Sequence, residues 1–335
     1  MSDRTFISHR MTRLLRQMLW VVLAFILVTA CRADHSQVSP DASQTAPAAP
    51  VRLVQHLMGE TQVPVNPQRV VTLDANYLSN ALVLGIQPIG STAWSDAIRR
   101  SGLDPVEPYL RDRAQELTIV GYGQEVNVET VLLLKPDLIL GNDTHAAIYE
   151  QLAQIAPTAL FTYYDGSRNW KDVLRFSASV LGKSQAAEKL LDDYEQRTQE
   201  LRQKLDDRAS MIQVSVITPG TNGARLMYRN SLSGGVLEDV GLSRPPAQDQ
   251  EGTNAFVSFE LIPHMDGDVI FVISHMDDDG LDVVNQLKNQ PLWSQLAAVK
   301  QGKVYPVDAQ HWYGTDIVRV NLILDDLFKY LLEEE

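Results

Sequence analysis

Residues 127–140, NVETVLLLKPDLIL, decide the fold class. Asn127 is a helix-capping residue, and Glu129 falls in the first turn, where the helix dipole favours negative charge. The apolar run carries a helix over 127–134, which Pro136 cannot continue. Asp137 then introduces a strand over 138–140. The same order recurs 131 residues later, where Ser258-Phe-Glu260 leads to Asp268-Val-Ile. In each copy the glutamate stands eight residues before the aspartate, and a further helix and strand follow (148–162 and 292–307). The repeat predicts two related lobes.

Working outward, strands are expected over 69–73, 86–90, 159–162, 213–217, 269–273 and 304–307. Helices are expected over 77–84 and 148–155, with another closing over 236–241. Strands alternating with helices imply a mainly parallel sheet flanked by helices in each lobe. The stretch 184–208 differs. Ala187, Leu190, Leu191, Tyr194, Thr198, Leu201 and Leu205 recur at helical spacing, charges fill the other faces, and Gly and Pro are absent. At about 1.5 Å per residue this is a rod of about 35 Å. The expected fold is therefore α/β, two lobes joined by one long rigid helix. The lobes span 52–183 and 209–335.

The chain has 335 residues, 44% of them apolar and 21% charged, enough for a packed core. One cysteine excludes a disulfide framework or a cysteine-rich zinc site. A net charge of −13 argues against nucleic acid. The only long apolar run is at the N-terminus, which excludes a polytopic membrane protein. Arg4, Arg10, Arg13 and Arg16 precede the uncharged run MLWVVLAFILVTA (18–30), as in a secretion signal over 1–30; Met11 offers a second start. The run ends Val28-Thr29-Ala30-Cys31, which resembles a lipobox, with Cys31 as the lipid attachment point. Residues 31–51 read as a flexible tether. Loss of 1–30 removes four arginines and Asp3, leaving 25 basic and 41 acidic residues, a net of −16.

Enzyme signatures such as G-x-S-x-G and H-E-x-x-H are absent. In open parallel sheets ligands bind beyond the carboxyl ends of the strands, which in two facing lobes is the cleft. The residues expected there are Trp94, Tyr122, Gln124, His145, Tyr163, Tyr164, Arg225, Tyr228, His275, Trp312 and Tyr313, with Arg229 adding positive charge. Rings with a few cationic and imidazole groups suit a bulky, partly apolar, anionic organic ligand.

Several segments then resemble the substrate-binding lipoproteins of ABC importers for iron(III)-siderophores, haem and cobalamin. They are PQRVVTL (67–73), ALVLGIQPIG (81–90), Gly123-Gln124 leading to Asn127-Val-Glu129, KPDLIL (135–140), GVLEDVGL (235–242) and LWSQLAAVKQGKVY (292–305). Trp312-Tyr313 with LILDDL (322–327) resembles the iron-siderophore branch. The resemblance implies a binding protein rather than an enzyme, and it implies a ferric siderophore as ligand. Iron would be carried as the chelate, with no cofactor held by the protein. It implies docking of Glu129 and Glu260, one per lobe, onto a permease dimer. A monomer, held on the extracytoplasmic side of the membrane through Cys31, is expected. The alternatives are haem or cobalamin, a bare transition metal on His145, His275, His311 and a carboxylate, or a secreted α/β enzyme using Asp165 or Asp308 near a histidine.

Overall fold

In the computed structural model, residues 50–93, 106–162, 169–275 and 278–332 are described. An antiparallel hairpin, β1 (Val51–His56) and β2 (Gly59–Pro64), comes first. It carries no counterpart in the sequence expectations.

The first sheet has six strands in the order β6-β5-β4-β3-β7-β8. These are β3 (Val70–Thr72), β4 (Gly90–Ala93), β5 (Thr118–Tyr122), β6 (Glu125–Val126), β7 (Leu138–Asn142) and β8 (Thr158–Phe161). All pair in parallel except β5 with β6. Strands β3, β4 and β7 are buried along their whole length, as a sheet covered on both faces requires. The strand expected over 86–90 begins only at Gly90. Pro88 has no N–H to give to a ladder, so the run before it stays a connection. Helix α1 (Ala75–Val83) is capped by Asp74, whose carboxylate accepts from Asn76 N–H at 2.7 Å. Helix α2 (Val128–Leu134) is capped by Asn127, which accepts from Thr130 N–H at 2.9 Å.

The second sheet has the order β11-β10-β9-β12-β13. Its strands are β9 (Val214–Gly220), β10 (Gly223–Met227), β11 (Asn254–Ser258), β12 (Val269–Ser274) and β13 (Val304–Asp308). Pairings β9–β12 and β12–β13 are parallel, whereas β9–β10 and β10–β11 are antiparallel. This half is therefore mixed. The tight connection between Gly220 and Gly223 creates the hairpin, and a Cβ on Gly223 would lie 1.9 Å from Val257 O.

The two aspartates of the repeat do the same work. Asp137 accepts from the N–H groups of Gln68 (2.7 Å) and Arg69 (3.0 Å), pinning the entry to β3. Asp268 accepts from Gln213 N–H at 2.8 Å, pinning the entry to β9. Each aspartate thus ties the start of its own strand to the start of the neighbouring central strand.

Helices α3 (Trp170–Leu181) and α4 (Ser184–Leu205) follow the first sheet. The 22 residues of α4 make a rod of about 33 Å. Its apolar stripe, Ala187, Leu191, Tyr194, Thr198, Leu201 and Leu205, is buried against α3, α5 (Leu232–Val240) and α7 (Ile317–Leu332). Helix α6 (Asp278–Lys288) follows β12. Asp239 on α5 accepts from Tyr194 hydroxyl (2.9 Å) and pairs with Lys171 on α3 (2.9 Å). Arg202 closes the C-terminus of α5 by donating to Val240 O (2.8 Å) and Asp239 O (2.7 Å). The rod is thus fastened to elements from both sides of the chain.

Candidate functional site

A cavity of about 570 Å³ opens where the carboxyl ends of the two sets of strands meet. From the first half come Asp74 and Asn76 at the start of α1, Thr92 of β4, Gln124 of the β5–β6 turn, and Asn142 and His145 at the end of β7. The second half supplies Arg225 of β10, Asn254 of β11, His275 after β12, Gln310 and Tyr313 after β13, and Arg319 of α7. In the first sheet β4 and β7 flank β3 on opposite sides, so the chain switches direction there, and this crevice is where such folds bind ligands.

Arg225 is exposed into this space and makes no ion pair among the described residues. It lies across from Thr218 on β9 and Phe256 on β11. The Thr218 hydroxyl shares a 2.6 Å hydrogen bond with the Tyr313 hydroxyl, which fixes the ring beside Arg225. Burial raises the Tyr313 pKa, against the pull of Thr218 and Arg225, so the phenol stays neutral. His145 is buried. Its Nδ1 accepts from Asn142 N–H at 3.3 Å, which leaves the proton of the neutral ring on Nε2. Nε2 has no hydrogen-bond partner among the described residues. Burial holds this imidazole below its ordinary pKa, against Asp143.

The floor carries a buried charge network absent from the sequence expectations. Arg319 is 6% exposed and donates to Glu107 at 3.0 Å, to Asn76 at 3.2 Å, to Asp316, and through Nε to Gln310 O at 2.9 Å. Asp316 also accepts from Ser79 on α1 at 2.9 Å. Burial opposes charge on Arg319, yet Asp316, Tyr109 and Glu107 together hold its pKa above the ordinary value. Burial raises the pKa of both Asp74 and Glu107, with Arg319 opposing. One guanidinium therefore anchors acids from both halves of the chain, and its charge is spent within the floor.

Gln124, His145, Arg225, His275 and Tyr313 of the expected cleft residues are brought together. Trp312 is not. It is fully buried, packs its ring tilted at 30° against Phe271 with centroids 4.9 Å apart, and donates its indole N–H to Asp326 at 2.7 Å. The short helix Ala309–Trp312 turns it inward while its neighbour Tyr313 faces the cavity. Tyr228 lines a separate groove with Pro245, Pro246 and Gln250. Tyr122 sits half-buried on β5, opposite Glu125, outside the cavity lining. Arg229 is held by Asp249 at 2.6 and 2.7 Å, and so adds no free charge to the cavity. Trp94, Tyr163, Tyr164 and Asp165, like Cys31 and its leader, lie outside the described residues. His311 lies 6.3 Å from Tyr109, and among the described residues no three His, Cys, Asp or Glu side chains gather to hold a metal ion.

Glu129 and Glu260 are both exposed, the first in the opening turn of α2 and the second at the start of the kinked 3₁₀ segment Phe259–Met265. Hydrogen bonding from Ser258 holds the Glu260 carboxylate below its usual range. No helix among the described residues is long and apolar enough to cross a membrane.

Two α/β halves, a long helix fastened to both, and a cavity between the strand ends lined by polar and imidazole side chains define a solute-binding protein. The chain belongs to the periplasmic binding protein family, whose profile matches residues 94–311. It is 33% identical to the probable siderophore-binding lipoprotein YfiY of Bacillus subtilis (strain 168), over 94% of this chain and 98% of that one. It is 28% identical to the achromobactin-binding periplasmic protein of Dickeya dadantii (strain 3937), over 78% of this chain and 85% of the relative. The crystal structure of Staphylococcus aureus SirA complexed with staphyloferrin B superposes with a TM-score of 0.72 at 27% identity, covering 84% of this chain and 98% of SirA. The protein is thus a binding component of an importer, located outside the cytoplasm, and not an enzyme.

Proposed function

We propose that the protein captures a ferric siderophore in the cavity and delivers it to the permease of an ABC importer. The observation that carries this reading is Arg225. Among the described residues it is an exposed cavity guanidinium without an ion-pair partner, and it shares the cavity with a neutral tyrosine and two histidines. Such a group suits the oxygen anions of a chelate. The iron travels as cargo inside the chelate, and the protein holds no cofactor of its own. Relatives named for siderophores, achromobactin and staphyloferrin B support the same class. Lipid attachment at Cys31, monomeric state and permease docking through Glu129 and Glu260 complete the reading.

Delivery is tested in the native host, with the chromosomal gene replaced by a Glu129→Arg/Glu260→Arg version. Uptake of ⁵⁵Fe from the captured chelate is expected to stop, while chelate affinity of the purified variant stays normal. Uptake at the parental rate contradicts the docking assignment. Equal loss of chelate affinity means that the substitutions act on capture instead.

A further inference from the structure

The hairpin β1–β2 carries apolar side chains on its outside. Val51, Leu53, Leu57 and Met58 are 53%, 58%, 42% and 41% exposed. Val51 and Leu53 share the outer face with Gln55 and, across the ladder, with Pro64, Gln62 and Glu60. Leu57 and Met58 form the two-residue turn between His56 and Gly59. Turns of this length favour Asn, Asp or Gly. Here Gly59 takes the positive φ, at 115°, so the turn's geometry does not call for Leu57 or Met58.

Folding uses the opposite face. Val54 and Val63 are buried in the main core. His56 bonds the Thr61 hydroxyl through Nε2 at 2.9 Å and accepts from Leu160 N–H at Nδ1 at 3.3 Å. Leu57 N–H donates to Leu160 O at 2.8 Å, and Arg52 donates to Ser179 O and Val180 O near the end of α3. The outer apolar side chains therefore stand in water on a fixed support, which is how a contact surface is built.

The course of the chain says what meets that surface. Nineteen residues, 32–50, separate Cys31 from Val51. From an acylated Cys31, a connection of that length reaches about 70 Å at full extension, and a linker of that length averages on the order of 25 Å. A group tethered so closely has a high effective concentration at the lipid, so a contact too weak to hold a free protein is populated. Charge agrees with this. Residues 50–66 hold one arginine and one glutamate, a net of zero, whereas the mature chain is strongly acidic. Anionic lipid repels the rest of the molecule more than it repels the hairpin.

We infer that the β1–β2 hairpin is a membrane-contact surface, with Val51, Leu53, Leu57 and Met58 resting on the lipid that holds Cys31. This rests on the lipid attachment given above and extends it. The anchor limits only distance, whereas the hairpin fixes which side of the molecule faces the bilayer.

The test uses the full-length protein, acylated in its native host and placed in vesicles of phosphatidylethanolamine and phosphatidylglycerol in equal parts. Cys31 is the one cysteine of the chain. With it acylated, Met58→Cys or Met211→Cys supplies the single free thiol for an NBD fluorophore. Met211, 64% exposed at the end of the short helix Arg208–Met211, is the control. Emission from position 58 is expected to shift to shorter wavelength and to be quenched by lipid spin-labelled in its acyl chain, with neither change at position 211. Adding Leu53→Glu/Leu57→Glu should abolish both changes at position 58, with chelate affinity at the parental value. Quenching that survives Leu53→Glu/Leu57→Glu, or that is equal at position 211, reflects the tether alone and overturns the inference. A wavelength shift without lipid quenching means that a protein surface covers the hairpin, and overturns it too. If mass spectrometry shows Cys31 acylated while position 58 stays unquenched, the anchor stands and the hairpin contact fails. If Cys31 is unacylated, both fail.

Discussion

Trp312 and Tyr313 are neighbours in sequence with opposite fates. Both follow a strand end, where an aromatic pair reads as a ligand platform. One short helical turn then sends the indole into the core, onto Asp326, and the phenol into the cavity. Sequence spacing cannot separate the two, because the hydrogen-bond acceptor that claims the indole is 14 residues away on another helix. Trp312→Phe is expected to cost about 1–3 kcal/mol in urea unfolding, since the half-buried Asp326 carboxylate loses its indole donor. Ligand affinity should not change. Arg319 was equally hidden, because its partner Glu107 lies 212 residues away. Arg225 was legible, since a cation beside a strand end has few structural uses.

His145 gives a pH prediction at the same scale. Burial holds its folded pKa below the ordinary 6.5, so the unfolded chain takes the proton first as pH falls. Its stabilising contribution is complete above about pH 6.5 and is lost as pH drops through the lower folded value. Asp143 on its own segment favours the charged ring, and Asn142 binds Nδ1. Asp74 and Glu107 work in the opposite sense, because burial raises their folded pKa and ionisation on raising pH weakens the fold. Urea midpoints measured from about pH 7.5 to 5 should fall more steeply for the parent than for His145→Gln.

At the scale of elements, the recurrent Asp is the part of the sequence that reads most directly into structure. Asp137 and Asp268 sit at the same point of the repeat and each accepts from backbone N–H at the entry of the neighbouring strand, two groups for Asp137 and one for Asp268. Asp137→Ala and Asp268→Ala should each lose about 1–3 kcal/mol, the cost of strand-entry N–H groups left without their acceptor. Loss at one site only would show that the repeat is not mechanically equivalent. The rod over Ser184–Leu205 was legible from its uninterrupted helical spacing, and it ends at Asp206, whose φ of 51° breaks the helix before the expected Arg208. The hairpin β9–β10 was not legible. Its strands carry no clean alternation, and its turn depends on the close approach permitted by Gly223.

For the whole molecule, the acidity of the chain and the anionic cargo stand in tension. The structure resolves it locally. Acids in the cavity floor are bound to Arg319 or held towards their protonated forms, while Arg225 stays open to the ligand. Arg229, which the sequence offered as a second positive group, is neutralised by Asp249. Capture of a ferric chelate through Arg225 is tested by calorimetric titration of the purified protein with ferric citrate, ferric staphyloferrin B, a ferric hydroxamate, a ferric catecholate and haem. Saturable one-to-one binding of at least one ferric chelate is expected, weakened about tenfold or more by Arg225→Ala, the loss of a charged hydrogen bond, and by less than about twofold by Arg229→Ala. Binding of haem alone, or chelate binding indifferent to Arg225→Ala, would contradict it.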